Sequence, residues 1–151
     1  MPKIRDCLIS VWESLHDLLP ESWVNSEIQR LKTEELTSLT QIDDSTRTVL
    51  VAEEGDNIVG IIFGRTGVWN VNHIGFMGVK STYRRRGIRR NLLLKYLEDI
   101  EEKGIHKVCL NTAPSLKPAI RLYVEQGFVP EGFLRKEAYG VDIIIYSKFL
   151  K

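Results

Sequence analysis

The segment Arg84-Arg85-Arg86-Gly87-Ile88-Arg89-Arg90 gathers five arginines around one glycine, at the point where a helical apolar periodicity begins. The far end of that periodic stretch carries Glu98, Asp99, Glu101 and Glu102, so both charge clusters oppose the helix macrodipole. Each exposed charge at the wrong end costs on the order of 0.3–1 kcal/mol, and the arrangement makes most physical sense with an anion at the helix N-terminus. Free backbone N–H groups there suit phosphate oxygens, and Gly87 lets the main chain approach closely or adopt a conformation closed to other residues. A polyphosphate is the ligand chemistry that fits; the plainer alternative is a solvated arginine run on a helix shoulder. The chain has neither the Gly-x-x-x-x-Gly-Lys loop of phosphate-cleaving enzymes nor the Gly-x-Gly-x-x-Gly turn of dinucleotide folds, so another phosphate-binding geometry is needed.

The elements that position this loop are readable around it. Leu8, Val11, Trp12, Leu15, Leu18 and Leu19 predict an amphipathic helix from Asp6 to about Leu19, closed by Pro20. A second helix is expected from Ser26, with Gln29 completing a capping box, through Ile28, Leu31, Leu36 and Leu39. Thr46 to Ala52 and Ile58 to Phe63 read as a β-hairpin turning at Glu54-Gly55-Asp56-Asn57, and Asn72 to Lys80 as a third strand. The next helix carries Ile88, Leu92, Leu93, Tyr96, Leu97 and Ile100 on one stripe and stops at Gly104. Lys107 to Thr112 then reads as a buried strand, Pro118 to Gln126 as a short helix, and Phe128 to Leu134 and Ile143 to Phe149 as two last strands. Strand, helix, strand, helix, strand from Asn72 onwards implies an α/β fold with a mixed sheet, part parallel, flanked by helices.

Composition bounds the function classes. With 151 residues, 43% hydrophobic and 27% charged, the chain is expected to form one globular domain over residues 1–151. A formal net charge of +1 gives no global pull towards nucleic acid, and no window approaches the roughly 18 apolar residues of a membrane span. Cys7 and Cys109 are too few for a disulfide framework and no Cys/His spacing suggests a metal, so a reducing, cytoplasmic setting is expected, with no metal and no membrane partner.

At two stretches the sequence resembles the GNAT superfamily of acyl-CoA-dependent N-acyltransferases, from about Thr46 to the C-terminus. Met77-Gly78-Val79-Lys80-Ser81-Thr82-Tyr83-Arg84-Arg85-Arg86-Gly87-Ile88 is similar to the family's Gln/Arg-x-x-Gly-x-Gly/Ala loop between a strand and a leucine-rich helix. It departs at the last small residue, which here is Arg89; a long side chain there would either add a phosphate contact or obstruct the loop. Ala119-Ile120-Arg121-Leu122-Tyr123-Val124-Glu125-Gln126-Gly127-Phe128-Val129-Pro130-Glu131-Gly132 resembles the family's second segment, Ala-Ile-x-Leu-Tyr-x-x-x-Gly-Phe-x-x-x-Gly. Upstream, where such proteins begin with a strand, this chain offers only Lys3 to Arg5.

The resemblance implies a GNAT-type fold and transfer of an acetyl group from acetyl-CoA to a primary amine, of a protein N-terminus or a small molecule, within a ternary complex. Pyrophosphate would rest on Arg84, Arg85, Arg86, Gly87, Ile88, Arg89 and Arg90. Gly78 and Val79 would offer main-chain groups to the acetyl carbonyl and pantetheine arm, and Asn111 would bond the cofactor or cap its own turn. Tyr123 would protonate the departing thiolate, and His73, directly or through water, would take the amine proton, with Glu53, Glu137 and Asp142 as rivals for that role. For Tyr123 the competing reading is a helix ring packed on the sheet, and for His73 a satisfied structural residue of its strand. Glu131, Glu137, Asp142 and Tyr139 are candidates for holding the amine. The reading leaves a homodimer open. Two other classes compete: a non-catalytic acyl-CoA sensor in which Arg89 has altered the site, and a nucleic-acid module, which near-neutral charge disfavours.

Overall fold

The computed structural model describes residues 2–33 and 45–150. In chain order these form α1 (Pro2–Glu13), α2 (Glu21–Thr33), β1 (Arg47–Glu54), β2 (Asn57–Thr66), β3 (Val71–Val79), α3 (Ile88–Glu102), β4 (Lys107–Thr112), α4 (Lys117–Glu125), β5 (Val129–Ala138) and β6 (Val141–Phe149). The six strands make one mixed sheet in the order β1-β2-β3-β4-β6-β5. Only β3 and β4 run parallel; every other neighbouring pair is antiparallel. The β3-α3-β4 unit supplies the crossover that a parallel pair requires.

Adjacent residues of β2 show how the layers are built. Ile61 and Ile62 are both fully buried, the first among Cys7, Leu8 and Val11 of α1, the second among the stripe of α3. Strand side chains alternate, so a strand buried on both faces reads as a continuous apolar run. Helices α1 and α2 therefore cover one face, while α3 packs on the other in one cluster with Leu122 and Tyr123 of α4.

Two features open the sheet at its centre. The β2/β3 register passes from Phe63↔Phe76 to Gly64↔Ile74, leaving Gly75 as an extra residue on β3. This bulge re-aims the strand: Ile74 packs in the α3 cluster, whereas Phe76 beyond the bulge packs on α1. The β3/β4 ladder ends at the same level, with Ile74↔Leu110, although β3 continues to Val79 and β4 to Thr112. Two strands thus part company in mid-sheet and leave a notch between them.

Several boundaries differ from those expected. Helix α1 begins at Pro2, so Lys3 to Arg5, the expected remnant of a first strand, are helical. The reason is periodicity: Ile4, Leu8 and Val11 return every three or four residues, which suits one helical face. Helix α2 begins at Glu21 rather than Ser26; Pro20 accepts from the N–H groups of Trp23 and Val24 at 3.0 and 3.1 Å, closing the first turn. Ser26 lies inside the helix and makes no capping box. Leu36 and Leu39, expected in the same helix, lie outside the described residues.

Candidate active site

The notch opens into a cleft of about 1070 Å³, bounded by α1 and α2, the bulged half of β3, the N-terminus of α3, the end of β4, and α4. The arginine loop forms one end. Gly87 takes a left-handed conformation (φ 78°) at the helix start, where no side chain caps the first turn. Asn91 N–H makes the first helical bond, to the Gly87 carbonyl at 3.0 Å, so the amides of Ile88, Arg89 and Arg90 lack helical acceptors. Gly87, Ile88, Arg89 and Arg90 all border the cleft.

The five arginines do not act alike. Arg84 is half-buried and committed to its own chain, with Nε donating to the Val79 carbonyl at 3.2 Å and Nη2 to the Ser14 hydroxyl at 2.7 Å. It ties the end of β3 to the residue just after α1. Arg86 turns outward, pairing with Glu54 at 3.3 Å and lying 5.0 Å from the Tyr83 ring centroid, and it does not border the cleft. Arg85 holds a left-handed conformation (φ 65°), and with Arg89 and Arg90 it faces the cleft. Arg89 carries positive charge to two neighbours, acting to lower the pKa of both Arg84 and Tyr123.

Along the notch, Gly78 and Val79 on β3 and Asn111 on β4 line the same cleft. Gly78 cannot take a larger residue without displacing Val11, because an added Cβ would lie 2.6 Å from its Cγ1. Tyr123 borders the cleft from α4. Its ring is buried against Phe128 and Tyr146, and burial pushes its phenol up to about 12 despite the opposing influence of Arg89.

His73 is not brought to this group. It is exposed on the paired part of β3, opposite Cys109, whose Sγ lies 2.9 Å from His73 Nδ1, and neither residue borders the cleft. Burial raises the Cys109 thiol pKa. The reason for the displacement is local: the bulge at Gly75 separates the paired stretch from the open one, so residues before it are held against β4. Glu131 also lies elsewhere, paired with Lys107 and accepting from Ser147, and these two bonds hold its carboxyl below the usual range. Asp142 accepts the Lys136 N–H within its turn, and Glu53 stays exposed at the end of β1; of the rival carboxylates only Glu137 borders the cleft.

At the opposite end of the cleft stand Glu137 and, stacked on its aromatic wall, Tyr139, both expected at the amine, together with rings whose part in a site the sequence did not show. Phe63, Phe76, Trp12 and Trp23 form a chain of rings with successive centroids 5.8, 5.8 and 6.4 Å apart. Tyr139 extends it, stacked on Trp23 at 6.1 Å with its hydroxyl donating to Ser26 at 2.8 Å. That bond holds the β5–β6 turn against α2. Glu27, one helical turn after Trp23, borders the same region and pairs with Arg30. The i, i+4 spacing of Trp23 and Glu27 was the available signal, but an aromatic in a helix ordinarily means packing. Among the described residues no group of three or more potential metal ligands gathers, and no helix is long and apolar enough to cross a membrane.

Comparison with known proteins agrees with this architecture. The profile of the acetyltransferase (GNAT) family matches residues 12–128. The human protein N-alpha-acetyltransferase 30 is 35% identical over 80 residues, which is 52% of this chain but only 22% of that protein's length. Among solved structures, a GNAT-family acetyltransferase of Desulfovibrio desulfuricans superposes with a TM-score of 0.77 at 20% identity, covering 100% of this chain and 95% of that one. The PaiA N-acetyltransferase of Thermoplasma acidophilum, solved with coenzyme A, gives 0.78 at 18% identity over 95% and 90% of the two chains. The family profile begins within α1, so the likeness reaches further upstream than Thr46.

Proposed function

This chain belongs to the acetyltransferase (GNAT) family, and we propose that it transfers the acetyl group of acetyl-CoA to a primary amine by direct attack in a ternary complex. The observation that carries the reading is the continuity of one cleft: an uncapped, arginine-flanked helix N-terminus, a notch between two parting strands, and a buried tyrosine all border it. At about 1070 Å³ it slightly exceeds ordinary single-ligand sites, room enough for an extended cosubstrate plus an acceptor.

In this reading the amides of Ile88, Arg89 and Arg90, with Arg85, Arg89 and Arg90 side chains, take the pyrophosphate. Arg84 shapes the loop from behind, and Arg86 contributes only long-range charge. The pantetheine arm runs along the notch, bonding main-chain groups of Val79 and the Asn111 side chain. The amine nitrogen attacks the thioester carbonyl, whose oxygen gains charge that a backbone N–H at Gly78 or Val79 stabilises, a donor typically worth about 2.7–4 kcal/mol. The carbon–sulfur bond then breaks, the thiolate leaves, and the amine gives its proton to solvent.

Tyr123 donates a hydrogen bond to the departing sulfur. A phenol near 12 gives its proton to a thiolate of conjugate-acid pKa about 8.5 only uphill, so stabilisation of negative charge outweighs outright transfer, and Arg89 reduces the mismatch. Calorimetry with acetyl-CoA and free CoA tests the cofactor half, and amine-dependent CoA release tests the transfer. Binding at micromolar ligand is expected; no binding at millimolar ligand would overturn the reading, and binding without release for any amine would leave a sensor.

A further inference from the structure

The acceptor end of the cleft combines three observations. Its wall is a run of aromatic rings, Trp12, Trp23, Phe63 and Phe76, none of them fully buried although they lie between helices and sheet. All four pack against the core clusters, and each keeps part of its surface on the cavity side. One carboxylate, Glu27, stands beside that wall with its side chain only 20% exposed, whereas Glu125 and Glu137 are exposed at the rim. Finally, with Arg85, Arg89 and Arg90 given to the pyrophosphate, the cavity keeps Arg30, Arg47 and Arg84 among its lining residues and offers one carboxylate, Glu27, at the aromatic wall, so a second ligand ammonium there finds no carboxylate of its own.

We infer that the acceptor is a primary amine bearing a single positive charge on a large aromatic or apolar body, seated with that body against Trp12 and Trp23 and its ammonium at Glu27. The inference rests on the acetyl-transfer reading and deepens it by naming the substrate class. Aromatic faces attract an ammonium as well as apolar surface, and Glu27, whose Oε2 accepts from Arg30, has its second carboxylate oxygen for the ammonium that would otherwise be costly to desolvate. The additional ammonium groups of a polyamine or a basic peptide would lie among Arg30, Arg47 and Arg84 with no carboxylate at the wall to meet them. Two sources share the favoured chemistry, a free arylalkylamine and a peptide N-terminus beginning with a bulky apolar residue.

The chain has three tryptophans, and Trp69 is 87% exposed on a turn that does not border the cleft. In the Trp69→Phe protein loaded with CoA, emission therefore reports Trp12 and Trp23. Titration with 2-phenylethylamine, Phe-Gly-Gly amide and spermidine should give a saturable change with one or both aromatic probes at concentrations about tenfold or more below any response to spermidine. Response to the amine alone assigns a small-molecule acceptor, and response to the peptide alone an N-terminus. Trp23→Leu, checked for unchanged thermal unfolding, should weaken that binding about tenfold, and Glu27→Gln should abolish the preference for 2-phenylethylamine over neutral 2-phenylethanol. Equal or tighter binding of spermidine, no saturable response to either aromatic probe, or unaltered binding in a folded Trp23→Leu protein would overturn the inference. Aromatic amines that bind but release no CoA from acetyl-CoA would instead sink the transfer reading and leave the subsite standing.

Discussion

At the scale of single residues, the arginine run divides into parts that the sequence could not separate. Arg84 serves the fold and Arg86 pairs outward, while Arg89, the departure from the family loop, faces the cleft beside Tyr123. Arg89→Gly is expected to weaken acetyl-CoA binding about tenfold by calorimetry, the scale of one charge-assisted bond to phosphate. Tighter binding would identify Arg89 as an obstruction. Tyr123→Phe should lower kcat by about 100-fold, the low end for a positioned donor, and leave acetyl-CoA affinity within about twofold. His73 was legible as a titratable residue near the right strand, but its distance from the cleft follows from the Gly75 bulge, which no sequence pattern announced. His73→Ala should accordingly change kcat/KM by less than about threefold in a pH-rate series; a tenfold loss confined to low pH would return it to the chemistry.

At the scale of elements, α3 was legible because its apolar stripe, preceding glycine and terminal Gly104 agreed, although the charges at both of its ends oppose the macrodipole. Its docking depends on a contact no stripe reveals. Gly64 on β2 leaves room for the Tyr96 hydroxyl, which donates to buried Asn72 at 2.6 Å, and an added Cβ would collide with both that hydroxyl and the His73 carbonyl. Gly64→Ala is therefore expected to destabilise the fold by about 3 kcal/mol or more in urea unfolding, the upper range for overpacking. Gly87→Ala should cost about 1–2 kcal/mol through its left-handed backbone and weaken acetyl-CoA binding in parallel. Helix α2 starts five residues before the expected Ser26: Ser26 and Gln29 match a capping pattern, while Pro20, which the sequence marks as the close of the preceding helix, also opens the next one at Glu21. Local signals compete, and the chain obeyed the one that also placed Val24, Ile28 and Leu31 in the core.

At the scale of the whole molecule, ligand and proton linkage make the proposals measurable. Acetyl-CoA at 100 times its dissociation constant should add about 2.7 kcal/mol to unfolding stability, and an unchanged melting curve would speak against the site. Burial lifts the Tyr123 phenol from about 10 to about 12 and the Tyr96 phenol in the same direction, so the folded chain holds these protons more tightly than the unfolded one. That contribution is whole below pH 10 and is lost as pH rises towards 12. Urea midpoints should fall across this window, and less steeply in Tyr123→Phe.

The sequence by itself determined the order of elements from Arg47 onwards, the mixed sheet, and the arginine loop at one end of the cleft, because those depend on periodicity, turns and one contiguous run of residues. Only the tertiary structure decided which arginines remain available, where His73 stands, and that Trp12, Trp23, Phe76 and Glu27 line one cavity. Those residues come from α1, α2 and β3, and their shared cavity depends on how helices pack over a bulged strand. Such packing is set by side-chain volume and register across the whole sheet, information that no local spacing contains.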